Sequence, residues 1–105
     1  MLIRMLRKLK AAVARHPDNL FDYNHLGPET HGKGDCGCAY HVAIAYGIVP
    51  RDTDYGIDLY EKFGLDESDG DELFNNSMID EDLATGREGK RLFYERLHAI
   101  TRGEV

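Results

Sequence analysis

No run of apolar residues in this chain approaches the ~20 needed to span a bilayer, and the N-terminus has no uninterrupted hydrophobic stretch of the kind a secretory signal needs. Arginines and lysines are mixed into Met1–Lys10 throughout. Cysteine is scarce too. The only two, Cys36 and Cys38, are separated by one residue and so cannot staple a fold by closing a long loop. The expected location is therefore the cytoplasm, where thiols stay reduced. There is no internal repeat and no low-complexity tract. Gly32 and Gly34 are not followed by Gly-Lys-Ser/Thr, so there is no phosphate-binding loop. An EF-hand reading of Asp66–Asp71 fails because Leu65 stands where that loop needs its first aspartate.

What remains is a chain of 105 residues, 42% hydrophobic and 30% charged, enough for one domain around one core (1–105) and too apolar for disorder. Its net charge of −6 conceals a segregation. Arg4, Arg7, Lys8, Lys10 and Arg15 meet no acid within residues 1–15. Residues 52–82 hold twelve acids (Asp52, Asp54, Asp58, Glu61, Asp66, Glu67, Asp69, Asp71, Glu72, Asp80, Glu81 and Asp82) against Lys62 alone. Such a block is either a solvated helical surface or a phosphate-like field offered to a basic partner.

The periodicities predict an all-α bundle of about five short helices, with a long loop between the first and second. Leu2, Met5, Leu6, Leu9 and Val13 recur at three- and four-residue steps, which predicts a helix over 2–15 that Pro17 ends. Residues 18–35 lack that spacing and carry Gly27, Pro28, Gly32 and Gly34. This predicts a loop anchored by a buried Phe21, with Asp22 turning or capping the backbone. Residues 36–47 are the least polar stretch. They predict a buried central helix with Asp35 as N-cap and Gly47 beyond its end, a short strand being the alternative. A helix over 55–63 should turn Ile57, Tyr60 and Phe63 inward and stop at Gly64. Asp66 should cap the next helix, which runs through Leu73 and Phe74, with its first-turn acids facing the positive end of the dipole. Met78–Ala84 reads as an acidic loop, and 85–101 as a last helix with Leu92, Phe93, Leu97 and Ile100 as its apolar stripe.

His25, His31, Cys36, Cys38 and His41 gather nitrogen and sulfur donors within seventeen residues. Zinc takes four such ligands, so His31, Cys36, Cys38 and His41 form a candidate metal set. On one helix Cys38 would point ~200° from Cys36 at ~100° per residue, so only Cys38 and His41 share a face and Cys36 would have to lie in the loop. A second reading makes Cys36 a nucleophile with a thiolate favoured by a helix N-terminus. A third packs the cysteines as small apolar side chains.

Phe21-Asp22 in a loop, Cys36-Gly37 opening an alanine-rich helix, then Phe63-Gly64-Leu65 and Leu73-Phe74 with acids between, resemble a family of short uncharacterised proteins from bacteriophage and mobile-element genomes. The resemblance covers roughly residues 18–76. The family pattern has a second cysteine five positions after the first, where this chain has His41, and its second cysteine is Cys38 instead. The resemblance implies an accessory protein acting inside a bacterial host cell. Together with the charge pattern it yields three expectations. The first is a non-enzymatic inhibitor or modulator of a host nucleic-acid machine, of the anti-CRISPR or counter-defence type, presenting Asp66, Glu67, Asp69, Asp71, Glu72, Asp80, Glu81 and Asp82 to a basic groove. The second is a small Cys/His domain with zinc as cofactor. The third is a cysteine-dependent enzyme. The overall charge disfavours direct nucleic-acid binding, no membrane partner is expected, and the chain should be a monomer or a homodimer through residues 2–13.

Overall fold

A computed structural model describes residues 1–23, 38–74 and 84–105 of the chain. Five α-helices account for most of the described residues: α1 (Ile3–Arg15), α2 (Ala39–Ala45), α3 (Ile57–Lys62), α4 (Glu67–Phe74) and α5 (Gly86–Thr101). A 3-10 turn, Asp18–Leu20, follows α1. The domain is all-α, and the described residues form no strand. Their one isolated antiparallel bridge joins Asp22 to Thr85. No helix among them is long and apolar enough to cross a membrane.

In α1 the stripe Leu6, Leu9, Ala12 and Val13 is fully buried, while Leu2, the first of the expected series, stays half exposed. The helix stops where Pro17 requires it, with His16 extended at φ −63°, ψ 139°. The chain is then clamped to the start of α5. The Tyr23 amide donates to the Ala84 carbonyl at 2.8 Å and the Gly86 amide to the Phe21 carbonyl at 3.0 Å. Phe21 and Tyr23 are thereby set into the core. Lys90 crosses the same junction: its buried ammonium donates to the carbonyls of His16 and Ala14 and pairs with Asp18 at 2.7 Å.

The central helix of the expected 36–47 segment is α2, buried at every residue from Ala39 to Ala43 and packed on α1. Its N-cap is Cys38, whose sulfur accepts from the His41 amide at 3.4 Å. The expected cap, Asp35, is displaced by Cys38 because the helix starts only at Ala39; Asp35 itself lies outside the described residues. The helix ends in a Schellman turn at Gly47 (φ +71°), with the amide of Ile48 donating to the Ala43 carbonyl and that of Gly47 to the Ile44 carbonyl. α3 closes the same way at Gly64 (φ +67°) through the amides of Leu65 and Gly64.

One expectation for α3 is overturned. Ile57 is 60% exposed, and Leu59 faces the core with Tyr60 and Phe63 instead. Residue 57 is the first of the helix, where the inward face has not yet been reached, and the inward step runs 59, 60, 63. The expected stripe of α5 holds, with Phe93 and Leu97 fully buried and Leu92 and Ile100 partly so. Of the expected loop 78–84, only Ala84 lies within the described residues, and it is buried.

α4 packs on α3 and α5. The last four carbonyls of a helix lack intrahelical partners, and here three side chains from elsewhere in the fold supply them. Arg96 donates to the Glu72 carbonyl at 3.0 Å, Tyr23 to that of Leu73, and Tyr55 to that of Phe74 at 3.1 Å. A ladder of rings (Tyr40, Tyr55, Tyr60, Phe74, Phe63), with successive centroids 5.4 to 6.4 Å apart, joins α2 to α4. α4 is held at its end and along its inner side, which leaves the outer side to its acids.

Candidate functional site: an acidic helix face and a basic double hollow

Asp66 caps α4, its Oδ1 accepting from the Asp69 amide at 2.8 Å, as the sequence predicts. At ~100° per residue, Gly70, Leu73 and Phe74 fall on one side of the helix, Glu72 points away from it, Asp69 and Asp71 flank it, and Glu67 in the first turn falls close to the line of Phe74. Asp66, Glu67, Asp71 and Glu72 are exposed and Asp69 is half-buried. None of the five carboxylates forms an ion pair among the described residues. The ion pairs among the described residues gather on Asp58 (Lys62), Asp18 (Arg87 and Lys90), Glu88 and Glu95 (both Arg91). Asp71 is anchored by a neutral group instead, accepting from the Tyr60 hydroxyl at 2.8 Å. Burial pushes that hydroxyl far above the ordinary phenol range, and the adjacent Asp71 carboxylate adds to the effect. Five carboxylates thus stand on α4 and its N-cap without an ion pair among the described residues. Asp80, Glu81 and Asp82 lie outside the described residues.

Of the candidate metal set, Cys38 and His41 are described and adjacent, one helical turn apart, both buried. His31 and Cys36 lie outside the described residues. Among the described residues no group of three or more histidine, cysteine or acidic side chains could hold a metal ion. The Cys38 sulfur acts as a helix cap, a role that a buried thiol performs without any further chemistry. Cys36 lies outside the described residues, and α2 starts only at Ala39, three positions beyond it.

His41 has a second feature that its spacing does not reveal. Its ring is 4% exposed, stands edge-on to that of His16 at 6.4 Å, and its Nδ1 is buried with no hydrogen-bond partner. Leaving a buried polar atom unmatched costs about 1–3 kcal/mol. The same ring lines a surface hollow of about 680 Å³, walled by Ile44, Ile48, Val49 and Pro50, with Arg51 also in its lining. A second hollow of about 550 Å³ shares Gly47 and Ile48 with the first and is lined by Lys8, Ala11, Ala14, Arg15 and Tyr46. The Schellman turn of α2 is the ridge between them. Arg15 lies over the Tyr46 ring at 5.5 Å, and the hydroxyl of Tyr46 is 3.3 Å from His16 Nδ1.

Lys8 and Arg15 were legible only as part of a basic helix. Arg51 and Tyr46, which come to them from another part of the chain, carried no signal. No protein-family model, curated protein or solved structure matches this chain.

Proposed function

We propose that this is a small acidic accessory protein of a phage or mobile element that binds a host protein and inhibits or modulates it. The favoured target is a nucleic-acid-handling machine with a basic groove, a function of the anti-CRISPR or counter-defence type. The observation that carries this reading is the exposed acid cluster of α4 and its cap, where none of Asp66, Glu67, Asp69, Asp71 and Glu72 forms an ion pair among the described residues. A dense array of carboxylates competes for the surface that a phosphate backbone would occupy, steers encounter from a distance, and releases counter-ions from the basic groove on contact. Because the helix is tied at its C-terminal end and ring-stacked on its inner side, binding need not order its backbone.

The test is capture of host proteins from bacterial lysate at low salt and at ~0.5 M, where exposed charges are screened beyond ~4–5 Å. The expected result is a nucleic-acid-handling protein retained at low salt, released at high salt, and lost to the triple variant Asp66→Asn, Asp69→Asn, Asp71→Asn. Asparagine keeps both the cap acceptor at 66 and the acceptor for Tyr60 at 71, so the variant removes charge while preserving the helix. A partner held equally at both salt concentrations, or equally by the triple variant, would overturn the reading.

A further inference from the structure

We propose that the double hollow astride the Gly47 turn is a binding site for a small ligand joining a flat apolar ring to a polyphosphate, a nucleoside diphosphate in class. Lys8, Arg15 and Arg51 line the two hollows, no acid does, and none of the three pairs with a carboxylate among the described residues. In a chain of net charge −6 that local excess is against the trend. Three cations spread over adjoining hollows exceed what a monocarboxylate needs and suit the several charges of a polyphosphate, which arginine and lysine bind through charge-assisted hydrogen bonds.

The rest of the lining supplies the other half of the ligand. Ile44, Ile48, Val49 and Pro50 wall the first hollow, and the exposed ring of Tyr46 lines the second. Each volume falls within the ordinary range of small-molecule sites, about 300–1,000 Å³. The ridge is well fixed, since the two amides of the Schellman turn set Gly47 and Ile48 in place.

Isothermal titration calorimetry on the full chain tests this with three probes: ADP, tripolyphosphate and adenosine. The expected result is one saturable site for ADP, with both fragments binding at least tenfold more weakly, and a loss of about tenfold for each of Lys8→Gln and Arg51→Gln. Circular dichroism checks that the variants keep their helices. Absence of saturable binding at ~5 mM ADP overturns the site. So does ADP binding unchanged in the combined Lys8→Gln, Arg15→Gln, Arg51→Gln variant. Tripolyphosphate binding as tightly as ADP overturns the ring half of the proposal. A single-stranded oligonucleotide binding more tightly than ADP, and losing that affinity in the combined variant, overturns it in favour of a nucleic-acid surface. None of these outcomes depends on the acidic face of α4.

Discussion

Two glycines carry close approaches that no other residue could make. A Cβ on Gly89 would lie 1.9 Å from the Ala84 carbonyl oxygen, and one on Gly70 would lie 2.2 Å from the Tyr60 ring. Helix propensity alone would reward alanine at either position by about 1 kcal/mol. The clash outweighs that gain, because the neighbour at 89 is backbone and the ring at 70 is buried. Gly89→Ala should therefore destabilise the fold by about 3 kcal/mol and Gly70→Ala by about 2 kcal/mol, read as a shift in urea midpoint. Lys90 is the other exacting position. Methionine there would strand the His16 carbonyl and should cost about 2 kcal/mol. Its partner Asp18 is held below its ordinary 3.8 by hydrogen bonds from Lys90 and then Arg87. A depressed carboxyl stabilises the fold at pH above 3.8, and that contribution drains away as pH falls through the lowered folded value. Acid unfolding should show it: wild type should exceed Asp18→Asn in stability by a constant margin above pH 3.8, and the margin should shrink below it.

At the scale of elements, what was legible in the sequence was what local rules decide. The stripe of α1, its stop before Pro17, the Asp66 cap of α4 and the glycine closures at Gly47 and Gly64 each depend on a few neighbouring residues, and each is present. Ile57 fails for an instructive reason. Apolar spacing shows that a face exists but not where a six-residue helix begins, so the inward series was assigned from the wrong first member. Nothing local could show that Tyr23, Tyr55 and Arg96 converge on the last carbonyls of α4, or that Arg51 and Tyr46 meet Lys8 and Arg15 around one turn, since those meetings join residues far apart in the chain. The acidic face was half legible. Composition gave the charges, but whether the chain's own cations would neutralise them was a tertiary question. The cap separates the two roles of Asp66. Asp66→Ala should cost about 1 kcal/mol of stability, whereas Asp66→Asn should leave stability near wild type and weaken only the proposed binding. Thermal unfolding of the two variants checks this.

Taken whole, the molecule buries one core in which every described stretch takes part, and tyrosine rings carry much of the join between helices. Tyr40, Tyr55, Tyr60 and Tyr94 are all shifted above the ordinary phenol value of 10.0, with burial the leading cause in each. A phenol raised in the folded state stabilises the fold below its ordinary pKa and loses that contribution as pH climbs through the folded value. Alkaline titration followed at the phenolate absorbance should therefore resolve late-ionising tyrosines that appear together with loss of helicity, and urea should abolish the delay. A further consequence comes from the grip of Tyr60 on α4, with its ring against Gly70 and its hydroxyl on Asp71. The chain contains no tryptophan, so its own ultraviolet emission comes from tyrosine alone. A partner that draws Asp71 toward itself must disturb the phenol holding that carboxylate. Binding of the proposed kind at Asp71 would therefore be expected to change the tyrosine emission, a readout available in unlabelled protein against a tryptophan-free probe.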